Sequence, residues 1–255
     1  MFKTSSSIAL MIAISILLSS PARAYIDEIK PSLEIFSGYQ PLYFLVGNPD
    51  SKIEISFKAK VIRQVPLYAA YTQRSYWNLF QKSAPFLDSS YHPELFYRFE
   101  LPGVHRWIDL GLLEHESNGK DGTDSRSWNR SYLRYSAMTA LRSGAKLYWT
   151  LRAWVPYRYE ENESILHYRG LYEVNATYAN FLGPFFERGD LTLSFYSGGN
   201  SMLSPWSGGQ ELTLRTNISE LKFLDVFVFQ IFHGYAENLL HYTRNDWRAR
   251  VGIGF

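Results

Sequence analysis

Apolar and polar residues alternate with a period of two over much of this chain. From Lys146 to Val155 a row of Lys, Tyr, Thr and Arg alternates with a row of Leu, Trp, Leu, Ala and Val, and shorter runs of the same kind occur at Leu95–Leu101 and Glu211–Arg215. Successive side chains of a β-strand point to opposite faces of the sheet. The pattern therefore predicts strands with one wet face and one apolar face.

The last predicted strand allows two interpretations. Trp247, Ala249, Val251 and Ile253 form one row with the terminal Phe255, and the alternate row begins with Arg248 and Arg250. In a soluble sandwich the arginine row faces water and the apolar row faces a core. In an outer-membrane barrel the apolar row faces lipid and the arginines face the lumen. Alternation alone does not separate the two folds.

Three features favour the barrel. The chain stops on an aromatic residue at the end of an alternating strand, as outer-membrane proteins do, and 17% of its residues are Phe, Tyr or Trp, enough for two aromatic girdles. It also has no cysteine, which is typical of exported porin-like chains. We therefore predict an all-β fold, a twelve-stranded antiparallel transmembrane β-barrel.

Alternation and turn signals predict the strand positions. Twelve is an even number, as closure of such a barrel requires, and neither an internal repeat nor a second domain is found. The predicted strands lie near 41–47, 51–63, 66–79, 92–102, 104–115, 127–138, 145–157, 166–182, 186–197, 208–217, 222–235 and 246–255. Short turns are expected at Gly47–Asp50, Pro102-Gly103, Ser143-Gly144 and Gly183-Pro184, and longer outer loops near 80–91, 117–126, 158–165, 198–207 and 236–245.

Composition excludes two broad classes of protein. Of the 255 residues 46% are hydrophobic, yet the mean hydropathy is −0.22, because apolar residues are interleaved with polar ones. A bundle of membrane-spanning helices needs long apolar blocks and is excluded. The formal net charge of +2 is too small for the concentrated basic face that nucleic-acid binding requires, so no nucleic acid partner is expected.

Residues 1–24 have the pattern of a cleaved signal peptide. Lys3 gives a positive start, Ile8–Leu18 is an apolar run, and Ala22-Arg23-Ala24 is a small-x-small cleavage site. A membrane anchor is the alternative, but the run is shorter than the about 20 residues that span a bilayer. Cleavage removes two of the 26 basic residues and no acidic one, which leaves 24 against 24. We expect residues 25–255 to form a single exported barrel domain.

The densest polar run, His115–Arg130, contains candidate chemistry. His115 and Ser117 are two residues apart and on a strand project from one face, where the imidazole can take the serine proton. Asn129 begins the next strand, so its amide can orient the imidazole, and Gly119 can present its backbone N–H to an oxyanion. Alone, His-x-Ser is a weak signal, because such residues at a strand end are more often solvated turn residues.

The full run resembles the active-site signature of the outer-membrane phospholipase A family. That signature is His-x-Ser-Asn-Gly followed, five to six residues later, by Ser-Arg-Ser-Trp-Asn-Arg, and both halves occur here with that spacing. The resemblance covers nearly the whole chain after Pro41. Further matching segments are Tyr71–Trp77, Ser83–Phe86, Tyr91–Phe96, Gly234–Leu240 and Arg250–Gly254.

The resemblance implies a calcium-dependent phospholipase of the bacterial outer membrane. It would hydrolyse acyl esters of phospholipids and lysophospholipids at either chain position, with Ser117 as nucleophile, His115 as general base and acid, and Asn129 orienting His115. Calcium would be bound by the carbonyl of Lys120, the Oγ of Ser125 and, from a neighbouring subunit, the carbonyl of Ser83. A calcium-bound water and the Gly119 amide would stabilise the oxyanion, and homodimerisation would complete the site. The alternatives are a passive pore or adhesin, and a relative that has lost calcium or acylates another acceptor.

Some positions depart from the family pattern or from strict alternation. The family often has aspartate at Gly122, in a weaker calcium site of the monomer; either Asp121 or Asp124 replaces it together with Glu161, or that site is lost. Alternation counted back from His115 puts Asp109 on the lipid face, so a bulge near Gly111 is expected. Glu114 and Glu116 are expected to line the lumen opposite arginines such as Arg98, Arg134 and Arg152.

Overall fold

The computed structural model describes residues 36–103, 105–142, 145–182, 189–216 and 226–254. The predicted signal peptide, the turn residues Ser143-Gly144 and Gly183-Pro184, and Phe255 lie outside these ranges. Within them the chain is almost entirely β-structure, and no described helix is long and apolar enough to cross a membrane.

The strands are numbered β1 to β13 along the chain. They are Phe36–Gly38, Tyr43–Asn48, Ser51–Lys60, Leu67–Trp77, Phe86–Glu100, Arg106–Ser117, Ser127–Ala140, Lys146–Tyr157, Tyr172–Ala179, Gly189–Gly198, Ser204–Thr216, Val226–Gly234 and Asp246–Gly254. Helix α1 is Ile165–Arg169, and single 3-10 turns occur at Gly122–Asp124 and Glu160–Asn162.

The sheet closes on itself into a barrel. Each strand is antiparallel to its neighbours, and the order from β3 through β2, β13 and β12 continues to β4, which pairs again with β3. β1 and β2 lie along the same edge of β3 and act as one interrupted strand, since Phe36 faces Ala59 while Tyr43 faces Glu54. The predicted twelve-stranded antiparallel barrel is confirmed.

The two ends of the barrel differ in their connections. We call one of them the Ser117 end, because β6 finishes there; its connections are 49–50, 78–85, 118–126, 158–171, 199–203 and 235–245. Most of these coincide with the predicted long loops.

Two predicted strand starts are wrong by six residues each, and β11 starts at Ser204 instead of the predicted 208. Residues 166–169, predicted as the start of a strand over 166–182, belong to helix α1, and β9 begins only at Tyr172. The helix turns into the lumen, where Ile165 and Leu166 are buried, so its apolar residues do not belong to the barrel wall. The strand predicted to start at 92 begins at Phe86. The prediction missed this part because Asp88 and Ser90 resemble loop residues in the sequence, although both point inward and are buried in the lumen.

The outer and inner faces of the wall separate as the alternation predicts. On β13 the outward Trp247 is 69% exposed, whereas the inward Arg248 and Arg250 are 4% exposed. Large exposed apolar residues occur on outward rows around the barrel, among them Ile55, Phe99, Leu133, Leu151, Leu193, Leu212, Phe229 and Val251. The wall therefore presents an apolar surface, as a lipid-facing barrel requires.

A bulge in β6 turns Asp109 into the lumen, as expected. β5 and β7 both shift register between Gly111 and Glu114, so Leu112 and Leu113 both face outward. Asp109 is fully buried and accepts hydrogen bonds from Arg98 Nε at 2.7 Å and Arg134 Nη2 at 2.6 Å. Gly111 suits this position because a Cβ there would lie 2.2 Å from the ring of Tyr132.

The lumen contains ion pairs and a cluster of rings. Lys52, Arg248 and Arg250 form ion pairs with Asp50 and Glu237. Burial alone would raise the pKa of the Glu237 carboxyl, but Arg250 and Lys52 hold it below its usual value. Toward the Ser117 end, Ile165 and Leu166 of α1 pack in a buried cluster with Trp128, Trp154, Tyr132, Tyr196, Phe232 and Leu239. α1 therefore forms an internal plug anchored in this cluster.

Candidate active site

His115, Ser117 and Asn129 lie together on the outward face of the wall near one end of the barrel. His115 and Ser117 are the last outward residues of β6, and β7 starts beside them, so that His115 is directly opposite Asn129 and Ser117 is opposite Ser127. All three predicted triad residues are partly exposed. The site is therefore open to the surroundings of the barrel rather than to its lumen.

The Asn129 amide is fixed by two hydrogen bonds. Its Oδ1 lies 2.9 Å from His115 Nδ1, and its Nδ2 donates to the backbone carbonyl of Arg158 at 3.3 Å. Since the amide oxygen can only accept, His115 Nδ1 carries the proton and Nε2 is the basic nitrogen. The hydrogen bonds of the described residues do not include one between Ser117 and His115. The structure thus joins His115 to Asn129 and places Ser117 beside them.

The connection 118–126 is organised by Asn118, which the sequence did not single out for any role of its own. Its backbone N–H donates to Arg126 O at 3.0 Å, its Nδ2 donates to Asp124 O at 2.9 Å, and its Oδ1 accepts from the N–H groups of Lys120 and Arg126. Its side chain is buried, with 4% exposed. Asn118 therefore ties the two ends of the loop together directly after Ser117.

Gly119, the predicted oxyanion residue, follows Asn118 in a left-handed backbone conformation. Its φ is +66°, a left-handed conformation that favours glycine, and a Cβ there would lie 3.0 Å from Tyr91 Cε2. No acceptor for the Gly119 N–H is found among the described residues. This N–H is accordingly available to a ligand next to Ser117.

The predicted calcium ligands are oxygen atoms in exposed connections. Ser125 Oγ donates to Glu161 Oε2 at 3.0 Å, and Ser127 Oγ donates to the same atom at 3.1 Å. Lys120 lies in the same connection as Ser125, and its Nζ donates to Leu87 O. Ser83 lies exposed in the connection 78–85 with a φ of +66°. In the described part of the chain, no three His, Cys, Asp or Glu side chains form a metal cluster.

A charged layer lies behind the triad on the lumen side. Arg130 Nη2 donates to Glu114 Oε1 at 2.7 Å and to Glu116 Oε2 at 3.0 Å, while Trp128 Nε1 also donates to Glu116 at 3.0 Å. The lumen position of both glutamates is confirmed, and Arg152 is a partner of Glu114 as predicted.

The prediction of which arginines face Glu114 and Glu116 was only partly right. Arg98 and Arg134 pair with Asp109 instead of the glutamates, because the β6 bulge brings that carboxylate inside. Arg130, which the sequence did not assign a partner, alternates with Asn129 and points inward. No sequence pattern identifies the contact between Asn129 and the Arg158 carbonyl, since any residue supplies a carbonyl.

The fold and this site together define a class of protein. A closed antiparallel barrel with an apolar outer wall and a charged lumen is the architecture of outer-membrane β-barrel proteins, and this one carries a serine beside a histidine–amide pair on the wall. The family model described as Phospholipase A1 matches residues 29–255. The chain belongs to this family.

Curated relatives support the assignment over most of the chain. The chain is 33% identical to the Phospholipase A1 of Escherichia coli strain K12 over 195 residues, which cover 73% of this chain and 61% of that protein. It is 32% identical to a Putative phospholipase A1 of Neisseria meningitidis serogroup B over 226 residues, which cover 81% of this chain and 54% of that protein. The matched region thus spans about three fifths of the length of the first of these relatives.

Solved structures share the fold. The outer membrane phospholipase of Salmonella typhi, solved as a dimer with bound calcium, superposes with a TM-score of 0.73 at 21% identity and covers 93% of this chain and 98% of that one. The outer membrane phospholipase A of Escherichia coli gives a TM-score of 0.70 at 24% identity and covers 85% and 96%. These similarities confirm the barrel architecture.

Proposed function

We propose that this chain is an outer-membrane phospholipase that hydrolyses acyl esters of phospholipids and lysophospholipids. The observation that carries the proposal is the 2.9 Å contact of His115 Nδ1 with Asn129 Oδ1 directly beside Ser117, on the outward wall of a phospholipase A1 family barrel. A site on this wall meets lipid without any opening of the lumen. Activity at both acyl positions belongs to the same proposal.

The mechanism follows from the roles that the side chains can take. His115 Nε2 removes the Ser117 proton as Oγ attacks the ester carbonyl, and then gives that proton to the departing lysolipid oxygen. The resulting acyl-serine is hydrolysed when a water, deprotonated by Nε2, attacks it; Nε2 then returns this proton to Ser117 Oγ as the fatty acid leaves. Asn129 holds the imidazole in the required tautomer but has no charge to stabilise the imidazolium. The Gly119 N–H supplies a hydrogen bond to the oxyanion.

The residues around Ser125 suit calcium. A hydroxyl, a carboxylate from Glu161 and a main-chain carbonyl from Lys120 are the oxygen donors that this hard cation prefers, and Glu161 already lies 3.0 Å from Ser125 Oγ. When bound, calcium would supply positive charge to the developing oxyanion. Gly122 has no carboxylate, so any monomer site would use Glu161 with Asp121 or Asp124, all of which lie in the exposed connections of the Ser117 end.

Calcium usually takes six to eight oxygen ligands, more than Ser125, Lys120 and Glu161 supply. This shortfall leaves room for the Ser83 carbonyl of a second copy in a homodimer, with waters in the remaining positions. The apolar outward wall offers a surface for that association within the membrane. We expect export with loss of residues 1–24 before assembly in the outer membrane.

The proposal is tested by hydrolysis of dispersed phospholipid by the purified protein in detergent. We expect calcium-dependent release of fatty acid, its loss with a chelator, recovery on adding calcium, and none from Ser117→Ala. Equal release from parent and Ser117→Ala would remove the enzyme proposal. Release that is insensitive to the chelator would remove only the calcium role.

A further inference from the structure

We propose that the turn 158–162 sets the orientation of the Asn129 amide, with Arg158 and Asn162 as positioning residues for the triad. This inference rests on the proposed function, which supplies the reaction that the orientation serves. The hydrogen bonds of Arg158 and Asn162 among the described residues reach Asn129 and Ser127 at the start of β7 and do not reach Ser117 or His115.

The contact with Arg158 decides which way the amide of Asn129 faces. An asparagine amide has one end that donates and one that accepts, and a backbone carbonyl can only accept. Because Arg158 O occupies one side, Nδ2 must face it, and Oδ1 then faces His115 Nδ1. With the amide reversed, two oxygens would meet at Arg158 and His115 Nδ1 would lose its acceptor. The Arg158 carbonyl thereby selects the histidine tautomer in which Nε2 can act as base.

The turn is held in place by several independent contacts. Arg158 has a φ of +50°, a conformation that non-glycine residues seldom adopt, and its carbonyl accepts the hydrogen bond from Asn129. Asn162 is fully buried; its Nδ2 donates to the carbonyl of Ser127, and its N–H donates to Tyr159 O at 2.8 Å. Glu161 accepts from the hydroxyls of Ser125 and Ser127. These contacts fix the turn along the first residues of β7, next to Asn129.

The lumen provides the anchor of this turn. Helix α1 follows three residues after Asn162, and its Ile165 and Leu166 are 0% and 7% exposed within the buried cluster that includes Trp128 and Trp154. Trp128 precedes Asn129 on β7 and belongs to the same buried cluster as Ile165 and Leu166 of α1. The turn is therefore followed by a helix that is anchored in the lumen behind this part of the wall.

Double-mutant analysis separates a positioning role from a general structural one. Arg158→Pro forces φ to about −65° and moves the carbonyl, whereas Arg158→Gly removes the same side chain but permits the left-handed backbone. We expect kcat of Arg158→Pro to be about tenfold below that of Arg158→Gly, and kcat of Asn162→Ala to fall by a similar factor. In an Asn129→Ala background both losses should disappear, because the amide that they orient is gone.

The matched control is Asn238→Ala, which removes a buried amide from the connection 235–245 at the same end of the barrel, where its Oδ1 accepts from His241 N–H. It should change kcat by the same small factor in both backgrounds. Folding of every variant is checked by circular dichroism in detergent. Losses of Arg158→Pro and Asn162→Ala that multiply with that of Asn129→Ala would overturn the inference.

A measurement without substrate separates this inference from the proposed function. Nitrogen-15 spectra of labelled histidine in the folded barrel should show His115 with its proton on Nδ1 in the parent, and a loss of that preference in Arg158→Pro and Asn162→Ala but not in Asn238→Ala. An unchanged His115 spectrum in both turn variants would overturn the positioning role even in an active enzyme. An inactive parent with the expected spectra would instead count against the phospholipase proposal alone.

Discussion

At the scale of single residues, the contact between His115 and Asn129 shapes the chemistry that the site can perform. An aspartate in this position would both orient the imidazole and stabilise its positive charge, whereas the amide of Asn129 can only orient it. Stabilisation of charge in the transition state therefore depends on the oxyanion, through the Gly119 N–H and the proposed calcium. Orientation by Asn129 and oxyanion stabilisation by Gly119 and calcium together allow an exposed site to catalyse ester hydrolysis without a carboxylate in the triad.

The first prediction concerns how much activity is lost when each triad residue is replaced. Ser117→Ala and His115→Ala should abolish hydrolysis, since one removes the nucleophile and the other the base, while Asn129→Ala should retain measurable activity because a misoriented base still functions at times. Initial rates of fatty acid release from detergent-dispersed phospholipid give the comparison. Asn129→Ala as inactive as Ser117→Ala would contradict this order.

The second prediction concerns the glycine after the triad serine. Gly119→Ala should lower kcat by about tenfold or more, because its Cβ meets Tyr91 at 3.0 Å and the N–H must move from the oxyanion position. Gly122→Ala is the matched comparison: its φ of +59° imposes a similar backbone cost, but nothing lies within 4 Å of its Cβ. The kcat of the two variants is compared at saturating calcium. Equal losses would show that backbone strain alone, and not the Tyr91 contact, is responsible.

At the scale of strands and loops, alternation predicted which residues face each way where the strands are regular. β7, β8 and β13 match closely, and the conflict at Asp109 correctly predicted the bulge in β6. The start of β5 and helix α1 were missed for one shared reason. Both place residues in the lumen, where the neighbours that each residue matches are distant in sequence. A local pattern of polar and apolar residues does not identify those neighbours.

The third prediction follows from the bulge. Asp109→Asn should lower the free energy of unfolding by about 3–5 kcal/mol, because Arg98 and Arg134 are left buried without their charged partner. The control Glu100→Gln changes an exposed acid at the far end of the neighbouring strand and should have little effect. Urea unfolding of the folded barrel in lipid vesicles gives both values. A change for Asp109→Asn no larger than for Glu100→Gln would contradict the proposed importance of this ion pair.

At the scale of the whole molecule, the barrel separates an apolar outside from a charged inside, and the candidate site lies on the outside. This arrangement accounts for the sequence composition, in which abundant apolar residues coexist with a negative mean hydropathy. Composition could exclude membrane-spanning helices, and alternation could favour a barrel, but only the run from His115 to Arg130 pointed to a reaction. The turn that orients Asn129 remained invisible because its key atom is a backbone carbonyl.

The fourth prediction separates the enzyme from a passive pore. Helix α1 and the aromatic cluster fill the lumen near the Ser117 end, and the ion pairs of Arg250 with Asp50 and Glu237 lie toward the same end. The reconstituted protein should therefore give no steady ion conductance of the porin type in planar bilayers. Steady open-channel currents from the purified parent would favour the pore interpretation.

The most direct test of the central claim is capture of the acyl-enzyme. The purified protein is mixed with phospholipid and calcium, quenched in acid within milliseconds to seconds, and digested for mass spectrometry. We predict that the peptide containing Ser117 gains the mass of one fatty acyl group, and that His115→Ala, in which Ser117 is still present, shows no such gain. Fatty acid release by the parent with the acyl group absent from Ser117, or attached to another residue, would contradict the account.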